Sequence, residues 1–147
     1  MNSMIRSLIS VVGILVLVCG LSACGAGTTT VEILTVGNEM KYAVTQFTVP
    51  PETKVQLVLK NQATLPIMKH NIVILDQGTN IDEIGTAALT AADYLPSHSA
   101  ILAATAIAGP NETVEVTFTA PSKPGRYPYI CTFPGHYKMM QGVMIVE

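Results

Sequence analysis

The chain beyond residue 30 predicts an all-β sandwich of two sheets with one small helical insertion. Three observations carry that reading. Short runs rich in Val, Ile, Thr and Phe alternate apolar and polar side chains with period two, as strands with one buried face do. Turns built on Pro and Gly separate them, as at Pro50-Pro51-Glu52-Thr53 and from Ala120 to Gly125. The third is composition. Of 147 residues, 49% are hydrophobic and 12% charged, with a formal net charge of −2, which suits one domain with a real core and argues against disorder. The same balance, 8 basic against 10 acidic residues, provides no basic patch for nucleic acid.

Residues 1–23 precede the sandwich and read as an address. Arg6 supplies the basic flank, and Ser7 to Ala23 (SLISVVGILVLVCGLSA) carries no charge. Seventeen residues lie at the lower limit for a bilayer-spanning helix, and small residues close the run, so an export signal is the better reading. Leu21-Ser22-Ala23-Cys24 resembles the bacterial lipobox, in which the cut falls before the cysteine and its thiol receives a diacylglycerol. Cys19 suits that role less, because Val18 precedes it where a small residue is expected. An uncleaved helical anchor is the alternative. Either way the domain is expected outside the cytoplasm and tied to a membrane, each buried acyl CH₂ contributing about 0.8 kcal/mol. Residues 24–30 form the lipidated end and a polar tether, and the six residues after Cys24 reach at most about 20 Å.

The strands follow in order. Val31 to Val36 alternates, as does Ala43 to Val49 (AVTQFTV). Lys54 to Lys60 (KVQLVLK) alternates most clearly, and His70 to Leu75 (HNIVIL) is apolar enough to be buried on both faces. Thr113 to Thr119, Arg126 to Thr132 and Gly142 to Val146 complete the runs. Most linkers are too short for crossovers, which favours antiparallel pairing. Ile81 to Tyr94 (IDEIGTAALTAADY) breaks the pattern: Ala-rich and ended by Pro96, it predicts a helix or two short turns packed on one sheet, with no chemistry assigned. His98 beside it reads as a surface residue.

Of three cysteines, Cys19 leaves with the signal and Cys24 is lipidated, so Cys131 has no disulfide partner. Its surroundings decide its role. Cys131-Thr132-Phe133-Pro134-Gly135-His136-Tyr137-Lys138-Met139-Met140 places an imidazole five residues after the thiol and thioethers beyond it, on one loop between two strands. His70 opens a strand sixty-one residues earlier. Two His, one Cys and a weak axial Met form the trigonal blue-copper set, and on chemistry alone Met139 competes with Met140 for the axial place. Pro134-Gly135 turns the chain so that His136 faces back toward Cys131.

The chain resembles the azurin and auracyanin family of cupredoxins. CTFPGH, Met-x-Gly at Met140 to Gly142 and His70-Asn71 match, as do Asp93-Tyr94-Leu95 and the strand from Ile101, over residues 31–147. The resemblance implies a Greek-key sandwich of about eight strands. It implies one copper ion, Cu²⁺/Cu⁺, held by His70, Cys131, His136 and Met140. It further implies that the Asn71 amide ties the two copper loops through Thr132, and that the backbone N–H groups of Asn71 and Phe133 point at the Cys131 sulfur. In the family a glycine carbonyl before the first His approaches copper opposite Met. Lys69 occupies that position here, a departure from the pattern, and azurin's disulfide is absent.

An electron carrier is the expected function, working between a quinol-oxidising complex and a cytochrome or reaction centre, or in an azurin-like respiratory role. No small-molecule substrate is implied. Leu65, Pro66, Ile67, Met68, Phe133, Pro134 and Met139 flank the ligands and form a candidate docking patch around His136, with Met an adaptable contact. Lys69 and Lys138 stand beside it to steer an acidic partner. A copper chaperone or sequestering lipoprotein is the alternative from another class. A Cys–His hydrolase would want an orienting group and an oxyanion hole, and would leave the Met without a task.

Overall fold

The strands form where the alternation is clearest. The structure, a computed structural model, describes residues 27–147; the expected signal peptide and Cys24 lie outside the described residues. The strands are β1 (Thr29–Leu34), β2 (Gln46–Val49), β3 (Lys54–Lys60), β4 (Val73–Leu75), β5 (Ile101–Ala104), β6 (Thr113–Thr119), β7 (Gly125–Ile130) and β8 (Gln141–Val146). Strand β1 begins at Thr29, so the last two residues of the expected tether belong to the sheet.

Three strands make one sheet in the order β1-β3-β6, and five make the other in the order β2-β8-β7-β4-β5. Val55, Leu57 and Leu59 of β3 and Met144 and Val146 of β8 point inward. With Ile33, Tyr42, Ile72, Ile74, Tyr127 and Tyr129 they fill the space between the sheets. Burying a side chain of this size contributes about 1.5–3 kcal/mol. Gly142 is required in this layer: it faces Tyr129 across the β7–β8 ladder, and a Cβ there would overlap the tyrosine ring.

Pairing departs from the expectation at two places. β1 runs parallel to β3, and β2 runs parallel to β8. Between β1 and β3 the chain visits the opposite sheet as β2 and returns, so that excursion serves as the crossover that a parallel pair needs. Two strands are also shorter than their apolar runs. β2 starts at Gln46, because Tyr42 is taken by an isolated bridge to Thr35. His70 lies ahead of β4, in an isolated bridge to Ala108.

The insertion forms helix α1 (Ile81–Ala88) and a 3-10 turn, Ala92–Tyr94. Asn80 caps α1 by accepting the Asp82 N–H, and Asp82 and Glu83 sit where the helix dipole favours anions. Ile84 packs with Val73, Leu75 and Ile130 on the outer face of the five-stranded sheet. That second layer explains why all three β4 side chains are buried. His98 is half-buried rather than on the open surface: its Nδ1 accepts the Ala100 N–H and its Nε2 lies 3.5 Å from Glu83. Among the described residues no helix is long and apolar enough to cross a membrane.

Candidate metal centre

The β7–β8 connection builds most of the site locally. His136 N–H donates to the Phe133 carbonyl at 3.0 Å across Pro134-Gly135, and Gly135 has φ 82°. That is a type II turn, with Pro pre-set at its first corner and Gly at the position needing positive φ. One further turn follows: the Met139 and Met140 N–H groups both donate to the His136 carbonyl. The Cys131 N–H closes the loop on the Met140 carbonyl at 3.0 Å. The two ends of the Cys131–Met140 segment are thereby clamped together.

His70 is held by borrowed contacts. Its N–H and carbonyl both bond Ala108, at 3.1 and 2.7 Å. Asn61, which is 2% exposed, donates to the carbonyls of Met68, Ala108 and Gly109 and accepts from the Thr35 hydroxyl. The buried Tyr42 hydroxyl donates to the Asn71 carbonyl. Thr105 brackets Ile72 by accepting its N–H and donating its own to the Ile72 carbonyl.

These two segments bring three donor atoms together. His70 Nδ1 and His136 Nδ1 lie 3.2 Å apart, and Cys131 Sγ lies 3.9 and 3.7 Å from them. His70 and Cys131 are fully buried and His136 is 5% exposed. Met140 is fully buried in the same core cluster as Cys131, whereas Met139 is 69% exposed. Burial thus separates two methionines that are equivalent in chemistry.

The second layer joins the segments to each other. The Asn71 amide donates to Thr132 Oγ1 and accepts the Thr132 N–H, both at 2.8 Å. The backbone N–H groups of Asn71 and Phe133 face the Cys131 sulfur and pull its proton affinity down. Burial outweighs them and holds the thiol up at about 11. Burial, then the neighbouring His136, lowers His70 to about 4; burial lowers His136 as well. Two imidazoles without charge at neutral pH and one thiol therefore aim at a common point. His70 Nε2 is buried without a hydrogen-bond partner, so that ring's polar engagement is through Nδ1. This donor set fits a soft or borderline metal ion, and ligation is what deprotonates a thiol held this high.

The expected docking residues lie outside this layer. Leu65, Ile67 and Met139 are 50%, 71% and 69% exposed, Pro66 and Lys69 are exposed, and Met68, Phe133 and Pro134 are half-buried. Met68 and Met139 come from different segments yet line one cleft beside Tyr42. The insertion also reaches the centre, which its sequence did not announce. Gly85 packs against the Tyr137 ring so closely that a Cβ would overlap it, and Lys138 pairs with Asp82 at 3.2 Å. Tyr94 meets Phe133 edge-on at 5.3 Å. Asn61, Tyr42 and Thr105 were missed too. A buried-loop Asn and a lone aromatic in a polar turn were the only signals available.

Comparison with known proteins agrees with this chemistry. The family of copper binding proteins that comprises plastocyanin and azurin matches residues 29–147. Auracyanin-A of Chloroflexus aurantiacus is 42% identical over 128 residues, covering 84% of this chain and 77% of that protein. Auracyanin-B of the same organism is 38% identical, and the match spans 80% of this chain but 52% of that longer protein. The solved structure of auracyanin A, a "blue" copper protein, superposes with a TM-score of 0.76 at 40% identity, covering 82% of this chain and all of that one. Dithionite-reduced auracyanin from the photosynthetic bacterium Roseiflexus castenholzii gives 0.74 at 38% identity, covering 84% of this chain and 99% of its own. The donor set, the two-sheet scaffold and these likenesses agree, and the chain belongs to the plastocyanin/azurin family of copper-binding electron-transfer proteins.

Proposed function

We propose that the protein is an extracytoplasmic, membrane-tethered type 1 copper carrier that passes single electrons between redox proteins and turns over no substrate. His70, Cys131 and His136 would hold the ion, with Met140 as the further, weaker donor. The observation that supports this is the convergence of two Nδ1 atoms and one sulfur within a fully packed core. When bound, copper supplies one-electron chemistry by alternating between Cu²⁺ and Cu⁺.

The chain's own residues do the rest. The type II turn and the Ala108 bridge hold the ligands to positions that the core leaves little room to alter, so reorganisation on electron transfer is small. The N–H groups of Asn71 and Phe133 face the sulfur, whose negative charge is greater in the reduced state, and so favour that state and raise the potential. His136, at 5% exposed, is the ligand nearest solvent, and Leu65, Pro66, Met68, Pro134 and Met139 form the docking patch that serves it. Small, transient redox contacts suit such a surface. A chaperone site must exchange its ion readily; ligands between 0% and 5% exposed fit retention instead.

Export and the Cys24 lipid rest on the lipobox. The donor is a quinol-oxidising complex and the acceptor a cytochrome or reaction centre, a route favoured by the two auracyanin likenesses from phototrophs. Electron paramagnetic resonance of the copper-loaded, oxidised protein tests the site: a narrow copper hyperfine splitting with intense blue colour is expected. A wide splitting in a pale protein would overturn the carrier assignment in favour of storage or delivery.

A further inference from the structure

Two adjacent residues of the insertion hold a backbone conformation that side chains with a Cβ rarely adopt. Asp93 has φ 51° and ψ 23°, and Tyr94 has φ 56°. Left-handed conformations are strained for residues other than Gly, and such outliers persist where surrounding contacts hold them. The contacts here are aromatic. The Tyr94 ring meets Phe133 at a centroid distance of 5.3 Å and an interplanar angle of 78°. Phe133 in turn meets His136 at 5.0 Å and 61°. Edge-to-face pairing stabilises beyond plain burial, so the Tyr94–Phe133 pair offsets part of that strain.

Phe133 connects to two atoms of the centre at once. Its ring packs on a ligand imidazole, and its backbone N–H faces the ligand sulfur. It is only half-buried, so its own loop does not enclose it. Tyr94 covers it from the insertion, and the two share the wall of an open cleft with Pro66 and Lys69. Removing the Tyr94 ring would let Phe133 move outward and would open the His136 side to water.

We propose that Tyr94 is a positioning residue for the copper centre: its ring, held by the left-handed pair Asp93-Tyr94, presses Phe133 onto His136 and so maintains the N–H contact to the Cys131 sulfur and keeps water from the site. The proposal rests on Cys131 and His136 being ligands, as argued above. Its sign follows from two effects that act together. A lengthened N–H contact stabilises the electron-rich reduced sulfur less. Water near the site favours the more highly charged oxidised state. Both lower the reduction potential.

The test compares Tyr94→Ala, Tyr94→Phe and Asp93→Gly in the full copper-loaded protein. Tyr94→Ala is expected to weaken reduction about tenfold, a fall of about 59 mV for a one-electron couple. Tyr94→Phe keeps the ring and is expected to keep the wild-type potential. Asp93→Gly removes strain while freeing the ring, so the potential should fall, by less than in Tyr94→Ala, without loss of thermal stability. In metal-free Tyr94→Ala, hydrogen exchange at the Phe133 amide should quicken about tenfold, with the Leu57 amide of β3 unchanged as the control for an intact fold. A blue Tyr94→Ala protein with wild-type potential overturns the proposal, as does a Tyr94→Phe shift equal to that of Tyr94→Ala. A wild-type protein lacking the blue band overturns instead the ligand assignment on which the proposal stands.

Discussion

The two segments that meet at the metal centre are built on opposite plans. The Cys131–Met140 loop is self-supporting: a type II turn, one further turn and a closing bond between Cys131 and Met140 all lie within ten consecutive residues. The His70 segment has turns only ahead of the ligand, where the Met68 and Lys69 N–H groups donate to the Leu65 and Ile67 carbonyls, and none that closes on His70 itself. Ala108, Asn61, Tyr42 and Thr105 hold it, and none of them lies within eight residues of His70 in sequence. A short loop can specify its own geometry, because each bond closes little chain. A single ligand at the end of a strand takes its position from whatever the fold sets against it.

The largest effect belongs to the loop's thiol. Cys131→Ser should abolish the blue band, because a hydroxyl replaces the soft sulfur of the set; a surviving blue spectrum would dismiss the loop as the source of the colour. Next comes the frame around His70. Asn61→Ala leaves the Met68 carbonyl and the buried Ala63 N–H without partners, removes the acceptor of the Thr35 hydroxyl, and takes one donor from each of the Ala108 and Gly109 carbonyls. It should cost about 2–3 kcal/mol in a urea melt of the metal-free protein. If Asn61→Ala melts like wild type, the borrowed frame is not what secures His70.

The pH dependence of the metal-free fold should have an acid limb from the imidazoles of both segments and an alkaline limb from the loop's thiol. His70 titrates at about 4 when folded against 6.5 ordinarily, so below 6.5 the unfolded chain takes up a proton that the folded one refuses. Stability is therefore full above 6.5 and falls as pH drops toward 4, with His136 adding in the same direction. Cys131, held up at about 11 against 9.0, gives the opposite limb: stability falls as pH rises through that window. Urea melts across pH should show both limbs, with His70→Gln reducing the acid one to the share of His136 and Cys131→Ser removing the part of the alkaline one that precedes the buried tyrosines Tyr42 and Tyr129; unchanged limbs in these variants would contradict the assignment. The smallest effect is expected outside the core. Met139→Asp, at a residue 69% exposed, should slow electron exchange with a partner several-fold and leave the visible spectrum unchanged. Unaltered exchange would take this side chain out of the docking patch.

Much of the fold was legible in the chain. β3 and β6 fall on the alternating runs predicted for them, because each presents one face to the core and one to solvent. The runs beginning at Ala43 and His70 overstated their strands, since apolar alternation does not reveal which backbone groups a neighbouring loop takes up. Parallel pairing of β1 with β3 was hidden for a similar reason: the connecting strand belongs to the other sheet, and sheet membership is not a local property.

The sequence by itself determined the donor chemistry. CTFPGH carries its turn, its thiol and its imidazole within six residues, and short-range backbone rules suffice to place them. Tertiary structure alone decided the rest. It buried Met140 and left Met139 exposed, brought His70 Nδ1 to 3.2 Å from His136 Nδ1, and laid the insertion on the loop through Gly85 and Tyr94. Those choices depend on side chains far apart along the chain excluding water together, and a local pattern carries no record of distant packing.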